Sequence, residues 1–195
     1  MKFTLIPFLL LVLFPAYGQV LFERDSSGLE VQSQFSFHKQ STVIGIGPSL
    51  VLGGRIALGF AIGKEFAKDS DARSTAVRPS LGYIPIKQND RIPFSIVTFL
   101  AYQDNSSKTE ELNLSTFEYG IGIVPRISGD IDLFPGINFG WSQSQSKDAN
   151  YNSREFKSMY FALDITLLFG KVYIDPLVAI RRDGTSFSIA LGVLL

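Results

Sequence analysis

Residues 115–141 read STFEYGIGIVPRISGDIDLFPGINFGW. From Phe117 to Ile127, apolar or aromatic residues and one proline occupy every second position, and the positions between them hold glycine, glutamate, valine or arginine. A period of two is typical of a β-strand whose two faces meet different surroundings. The alternation resumes at Ile131, after the turn at 128–130, so this stretch predicts a β-hairpin.

The same alternation recurs along the rest of the chain. The pattern predicts strands at 29–38, 44–52, 56–63, 76–85, 94–102, 115–127, 131–141, 157–169, 172–181 and 186–195. Most are near the roughly 9–11 residues that a tilted strand needs to cross a bilayer. An even number of strands also returns the chain to the side where it began. We therefore predict an all-β fold, an antiparallel up-and-down transmembrane β-barrel of about ten strands, with eight as the alternative.

The composition excludes several classes of function. Lys+Arg 18 balance Asp+Glu 18, so no basic surface points to nucleic acid. The chain has no cysteine, which removes disulfides, thiolate metal sites and cysteine nucleophiles. Only 18% of the residues are charged while 46% are hydrophobic. A soluble domain usually needs about 25–35% charged residues on its surface, so this chain is short of residues that can face water.

The N-terminus predicts export. Lys2 precedes an apolar run from Phe3 to Phe14, and Ala16 and Gly18 are small residues at the positions that a signal peptidase reads. We predict a signal peptide at 1–18 and a barrel domain at 19–195. The alternative, an anchoring helix, would need a run of roughly 20 residues. No later apolar run is long enough, so the mature chain should enter a membrane through strands.

The chemistry of the less apolar face separates two kinds of barrel. A soluble periplasmic lipocalin-like carrier, which is an alternative reading, should carry many lysines, glutamates and threonines on its outer face. Here that face holds mainly glycine, alanine and serine with isolated charges, as expected of a narrow lumen. Aromatic residues near the strand ends predict interfacial girdles. The girdle residues are Phe66, Tyr102, Phe117, Tyr119 and Trp141 at one end and Tyr83, Phe94 and Phe169 at the other.

Charged residues on the small face form the predicted lumen cluster. They are Glu65, Arg78, Glu118, Arg126, Asp132, Asp164, Asp175 and Arg181. A charge in a low-dielectric lumen has to be paired, so structural ion pairs are the first interpretation. A narrow selective pore is the second.

The connections and the prolines complete the picture of the barrel. Polar loops are predicted at 67–74, 104–113 and 143–155. All three lie on the side opposite to the chain termini, and we take the termini to be periplasmic. Several prolines fall inside predicted strands, where each removes a ladder hydrogen bond and is normally confined to edges or bulges. They are Pro48, Pro79, Pro125, Pro135 and Pro176.

One hairpin pattern resembles a known family. The motif P-x-L-G-Y, read from RPSLGY at 78–83, precedes a short turn and an apolar strand, and related frames are GPSL at 47–50 and FPGINFG at 134–140. This pattern resembles the small, porin-like outer-membrane β-barrels of Gram-negative bacteria. The resemblance implies recognition by periplasmic chaperones and the barrel-assembly machinery. Members commonly end in an aromatic residue, and here Leu195 takes that place.

His38 is the only histidine and is predicted to lie at the rim, beside Ser36 and Ser41. Barrel enzymes place histidine with serine or acid near the rim, so lipid or peptide hydrolysis or acyl transfer by His38 is an alternative function. No metal-ligand spacing, phosphate loop or nucleophile elbow is present. We therefore expect a non-enzymatic outer-membrane protein without cofactor or metal, contacting outer-membrane lipid and acting through its loops and lumen, with an unknown loop ligand.

Overall fold

The computed structural model describes residues 27–39, 41–68, 73–107, 113–147, 153–182 and 184–195. These residues form ten β-strands. The strands are β1 (Gly28–Phe37), β2 (Ser41–Leu52), β3 (Ile56–Ala67), β4 (Arg73–Ile86), β5 (Ser95–Ser107), β6 (Asn113–Val124), β7 (Asp132–Lys147), β8 (Ser153–Phe169), β9 (Val172–Arg181) and β10 (Gly184–Leu194). The predicted signal peptide, 1–18, lies outside the described residues.

The strands close into a barrel in which each pairs with its neighbours in sequence. Closure is made by β1 and β10, which pair antiparallel from Glu30↔Leu194 to Phe37↔Phe187. The predicted fold class, an antiparallel up-and-down barrel with ten strands, is confirmed. Within the described ranges, no helix has the length and apolarity to cross a membrane.

The two ends of the barrel differ. The start of β1 and the end of β10 lie at the same end of the barrel, which we call the terminal end. We call the opposite end the distal end. At the distal end the predicted loops at 104–113 and 143–155 are wrong for all of their described residues, because β5, β6, β7 and β8 extend into them. The predicted loop at 67–74 is also partly strand, because β3 ends at Ala67 and β4 begins at Arg73. Pairing with neighbouring strands satisfies the backbone of these polar residues, so they need not form loops.

The outer face of the barrel is an apolar belt. Most large aliphatic and aromatic side chains that point outward are more than a third exposed, including Leu58, Ile123 and Phe139. On β8 this face runs from Met159 to Phe169, which at about 3.4 Å per residue and a tilt of roughly 40° spans about 26 Å along the barrel axis. The apolar band of outer-membrane barrels is about 25 Å tall. The belt therefore has the chemistry and the height of a lipid-facing surface.

Most strand prolines leave the register of their ladders unchanged. The prolines inside strands are Pro48, Pro79, Pro85, Pro135 and Pro176. The ladders on either side of Pro48, Pro79 and Pro176 keep one register. Pro135 pairs with Ile165 in an uninterrupted ladder. The described ladders shift only between Tyr83 and Ile86, around Pro85. Pro125 follows the last residue of β6. Bulges therefore do not explain the other strand prolines.

Candidate functional sites in the lumen and at the distal rim

An apolar layer fills the lumen at the terminal end. We call it the apolar plug; its members are Val51, Ala57, Ile84, Val124, Phe134, Leu168, Tyr173 and Leu194. Each comes from the inward face of a strand close to a terminal-end connection or a chain terminus. Phe134, Ile84 and Tyr173 are completely buried. Water therefore has no access to these three side chains.

Above the plug, three charges from distant strands meet. Glu118 of β6 accepts a hydrogen bond from Arg78 Nη2 of β4 at 2.8 Å and from Arg181 Nη2 of β9 at 3.1 Å. We call these three residues the Arg–Glu–Arg clamp. Their side chains are at most 4% exposed. Arg78 also donates to Gln103 Oε1 at 3.3 Å, and the Arg181 guanidinium lies 4.9 Å from the Tyr160 ring centre. The clamp connects opposite walls across the lumen.

The other predicted lumen charges do not join the clamp. Arg126 and Asp132 form a separate pair at 3.1 Å at the terminal end, partly open to solvent. Asp164 accepts a hydrogen bond from Asn138 Nδ2 at 3.0 Å. Asp175 is buried nearby. At the distal end of β3, Glu65 accepts a hydrogen bond from the hydroxyl of Ser74 at 3.2 Å.

A buried polar group that the charge pattern did not single out adjoins the plug through Tyr173. Tyr173 Oη contacts a carboxyl oxygen of Glu30 and lies 2.6 Å from the side-chain amide of Gln32. A phenol has one proton, so it can donate to only one of the two. Both contacts are to oxygen atoms, Glu30 Oε1 and Gln32 Oε1, so the hydroxyl lies between two acceptors. Alternation placed Glu30 and Gln32 on the polar face of β1, but their partner on β9 depends on barrel closure.

Glycines on the lumen face make room for large side chains of neighbouring strands. A Cβ added at Gly140 would lie 2.1 Å from Tyr160 Cζ, and one at Gly192 would lie 2.1 Å from Tyr173 Cζ. At Gly120 it would meet the Phe99 ring at 2.4 Å. These glycines are therefore sites where the aromatic side chains of neighbouring strands approach the backbone closely.

His38 lies at the distal rim. The residue is only 3% exposed. Its backbone N–H donates to the Ser41 carbonyl at 2.9 Å, and its carbonyl accepts a hydrogen bond from Lys68 Nζ at 2.8 Å. Ser36 is committed to Ser188 and Gln34 through its hydroxyl. In the described part of the chain, no group of three or more histidine, aspartate or glutamate residues could hold a metal ion.

The predicted girdle residues divide between exposed and half-buried positions. Tyr83, Tyr102, Phe117, Tyr119, Trp141 and Phe169 face outward and are exposed. Phe66 is half-buried under the Arg73 guanidinium at 5.9 Å, and Phe94 lies in the connection before β5. At the distal end Tyr119 and Trp141 stack at 5.6 Å with an interplanar angle of 16°. Alternation also placed Phe37 and Phe187 outward; the structure stacks them at 6.4 Å.

Beyond the distal girdle, β5 to β8 continue as a polar sheet. The ladder between β7 and β8 runs to Lys147↔Ser153, whereas β9 joins β8 only from Tyr160↔Arg181. Among the described strand ladders, residues 153–159 of β8 therefore pair on one side only, and we call this stretch the open edge of β8. The corresponding ladders elsewhere in the barrel extend to, or to within three residues of, the distal ends of their strands. These ladders are β1–β10, β2–β3, β4–β5 and β6–β7.

The architecture is that of an outer-membrane β-barrel: a closed antiparallel barrel with an apolar outer band and polar groups in its interior. No protein-family model and no curated protein matches the sequence. Among solved structures, the chain is similar to the translocator domain of the autotransporter NalP from Neisseria meningitidis, at 12% identity and a TM-score of 0.47, over 89% of this chain and 91% of that one.

Two further similar structures are porin and surface proteins. The KdgM porin in complex with disordered oligogalacturonate shares 10% identity with a TM-score of 0.45, over 84% of this chain and 98% of that one. Neisserial surface protein A shares 11% identity with a TM-score of 0.42, over 87% and 97%. Likeness at these identities concerns the fold alone.

Proposed function

We propose that this chain is a non-enzymatic protein of the bacterial outer membrane that binds an extended segment of a partner polypeptide at its distal end. The observation that carries the proposal is the open edge of β8. A strand edge presents free N–H and C=O groups, and a peptide strand is the ligand that can pair with them in register. Arg154, Glu155 and Lys157 along the edge are charges that discourage uncontrolled edge-to-edge association.

The position of the open edge supports this function. Hydrocarbon does not tolerate unpaired backbone groups, so a free edge must lie outside the bilayer. The edge begins at Met159, which pairs with Trp141 in the distal girdle row. The whole edge thus lies on the aqueous side of the girdle. With 1–18 as an export signal and the termini in the periplasm, this end faces the cell exterior. Periplasmic chaperones and the barrel-assembly machinery are the partners proposed for its insertion.

The filled lumen disfavours a narrow pore. The apolar plug packs side chains together in the lumen at the terminal end, and the Arg–Glu–Arg clamp crosses the interior above it. A conducting lumen would need a continuous row of groups that can replace water around an ion. We expect no discrete ion-conductance steps when the refolded barrel is inserted into planar lipid bilayers. Reproducible steps would instead support the pore.

A rim enzyme is also disfavoured, because the His38 side chain is nearly inaccessible to a substrate. If the chain were such an enzyme, His38→Ala would abolish a lipid or peptide hydrolysis activity measured on the folded barrel. We expect the unsubstituted barrel to show no such activity above a heat-denatured sample.

The partner site can be tested with phage-displayed random heptapeptides selected on the full chain in lipid nanodiscs. Successive N–H groups of a strand point to opposite sides. Phe156→Pro and Lys157→Pro each remove one backbone N–H. Because the two residues are neighbours, one variant loses an N–H that points out of the open edge, and the other, the control, loses an N–H that points to β7. Selected peptides should lose binding to the variant that lacks the open-edge N–H, while that variant keeps its heat-modifiable migration. Peptides that bind both variants as well as the parent would refute the site.

A further inference from the structure

Phe156 is an exposed aromatic side chain on the inner face of the open edge of β8. It pairs with the buried Ser144 of β7 and is itself 47% exposed. Val43 and Leu114 are inner-face apolar residues near the distal ends of strands that pair on both sides, and they are 0% and 4% exposed. Phe156 differs because β9 ends at Arg181, so no described strand lies beside it there. The ring therefore marks a place where an added strand would bury apolar surface.

Two opposite charges flank Phe156 on the outer face of the same edge. Lys157 Nζ lies 3.2 Å from Glu155 Oε1, and their side chains are 72% and 51% exposed. Gln143 Nε2 donates to the same Oε1 atom at 2.6 Å. Among the described residues no group bonds the second oxygen, Oε2, and the Lys157 ammonium has further N–H donors. A strand beside this edge is matched when it presents a basic residue to Glu155 and an acidic residue to Lys157.

The direction of the added strand follows from the end of β9. β9 pairs antiparallel with β8 as far as Tyr160↔Arg181, and a strand that continues β9 along the open edge runs away from the membrane. Antiparallel pairing is also slightly more stable per residue than parallel pairing. The residues opposite Lys157, Phe156 and Glu155 then follow one another in that order from the N-terminus of the added strand.

We propose that the partner segment of the open edge has an acidic, an apolar and a basic residue in consecutive positions and pairs antiparallel to β8. The acidic residue faces Lys157, the apolar residue covers Phe156, and the basic residue faces Glu155. This inference rests on the proposed function, because it specifies which polypeptide the open edge accepts. Main-chain hydrogen bonds hold such a strand, and the alternate side chains select it.

The partner is a different chain rather than a second copy of this one. A second copy carries the same order of side chains at Glu155, Phe156 and Lys157. In one membrane, however, β8 of every copy runs from the distal end to the terminal end, so two copies would meet with parallel strands. The antiparallel match is available to a separate polypeptide that approaches from the aqueous side.

The experiment compares three fluorescein-labelled heptapeptides by fluorescence anisotropy, titrated with the full chain in lipid nanodiscs. TTEIKTT carries the matched order, TTKIETT has the same composition but is matched only in the parallel direction, and TTESKTT lacks the apolar residue. We expect TTEIKTT to bind about five- to ten-fold more tightly than TTKIETT, the effect of two cross-strand charge pairs. Its advantage over TTESKTT should be about two- to five-fold, the effect of one aromatic pair with a β-branched residue. Equal binding of TTEIKTT and TTKIETT, or tighter binding of TTKIETT, would overturn the proposal.

Variants of the chain separate the charges from the ring. When Glu155→Lys and Lys157→Glu are combined, TTKIETT should bind more tightly than TTEIKTT, and an unchanged ranking would overturn the charge pairing. Phe156→Ser should remove the advantage of TTEIKTT over TTESKTT. The control is Phe37→Ser, which removes an exposed aromatic side chain at the distal end of β1 and should leave all three affinities unchanged. Heat-modifiable migration confirms that each variant is folded.

The outcomes distinguish this inference from the proposed function. If phage-selected peptides bind through the open-edge N–H but lack the acidic, apolar and basic order, the edge binds peptides and this inference is wrong. If no peptide binds in a way that depends on that N–H, the proposed function itself is wrong. A dimer of the full chain that TTEIKTT dissociates would make a second copy the occupant and would overturn the assignment to a different chain.

Discussion

Removal of Glu118 should cost more stability than removal of any exposed charge. Glu118→Ala leaves two buried guanidiniums, of Arg78 and Arg181, without the carboxylate that lies 2.8 and 3.1 Å from them. Breaking a buried ion pair by deleting one partner costs about 3–5 kcal/mol. Arg78 keeps its hydrogen bond to Gln103, and Arg181 keeps its contact with the Tyr160 ring. We therefore expect a loss near the lower end of that range, about 3 kcal/mol.

The measurement is reversible urea unfolding of the refolded barrel in lipid vesicles, followed by fluorescence of the single tryptophan, Trp141. The matched control is Glu155→Ala, which removes a carboxylate from an exposed pair with Lys157. Exposed pairs contribute about 0.2–1 kcal/mol, so the control should lose no more than that. Arg78→Ala should fall between the two, at about 1.5–3 kcal/mol, because Glu118 keeps its hydrogen bond to Arg181.

The ranking of these variants is the critical result. If Glu118→Ala and Glu155→Ala lowered the free energy of unfolding equally, the clamp would not stabilise the folded barrel and our account of the lumen would be wrong. Replacing all three clamp residues by apolar side chains of similar volume is a further check. Such a replacement leaves no buried charge behind and should be neutral or stabilising.

Three further expectations concern the wall, the girdle and the N-terminus. Gly140→Val should lower the free energy of unfolding by about 1–3 kcal/mol through overpacking against Tyr160, whereas Gly129→Ala, at an open turn, should change it little; urea unfolding measures both. Trp141 should be quenched more by lipids brominated near the headgroup than by lipids brominated near the chain end, because it lies in the girdle; stronger quenching from the chain end would move it to the bilayer centre. Mass spectrometry of the exported protein should find Gln19 as its first residue, and an uncleaved chain would contradict the predicted signal peptide.

The strands were predictable because their signal is local. Within the hairpin at 115–141, every outward residue from Phe117 to Ile123 and from Ile137 to Trp141 has the predicted orientation. The distal extensions of β7 and β8 were not predictable in the same way. Their serines, glutamines and charges give no apolar alternation, and they are strands because each pairs with a neighbour beyond the belt.

The lumen shows the same division at the level of side chains. Alternation identified Arg78, Glu118 and Arg181 as inward residues, and the low dielectric required that they be paired. Their positions in the chain do not predict that Glu118 forms ion pairs with both arginines. Nor do they predict that Arg126 and Asp132 form a separate pair at the terminal end. Which residues meet across the lumen depends on the stagger between strands, which is fixed only when β1 and β10 close the barrel.

By itself, the sequence determined the class of fold, the two unlike faces of each strand and the residues that face outward, because each residue of a period-two pattern shows by its own type which face it belongs to. The tertiary structure decided what the lumen contains and where the sheet ends. The plug, the clamp and the open edge of β8 all depend on register between strands. Register is a relation between distant segments, so no single segment carries it.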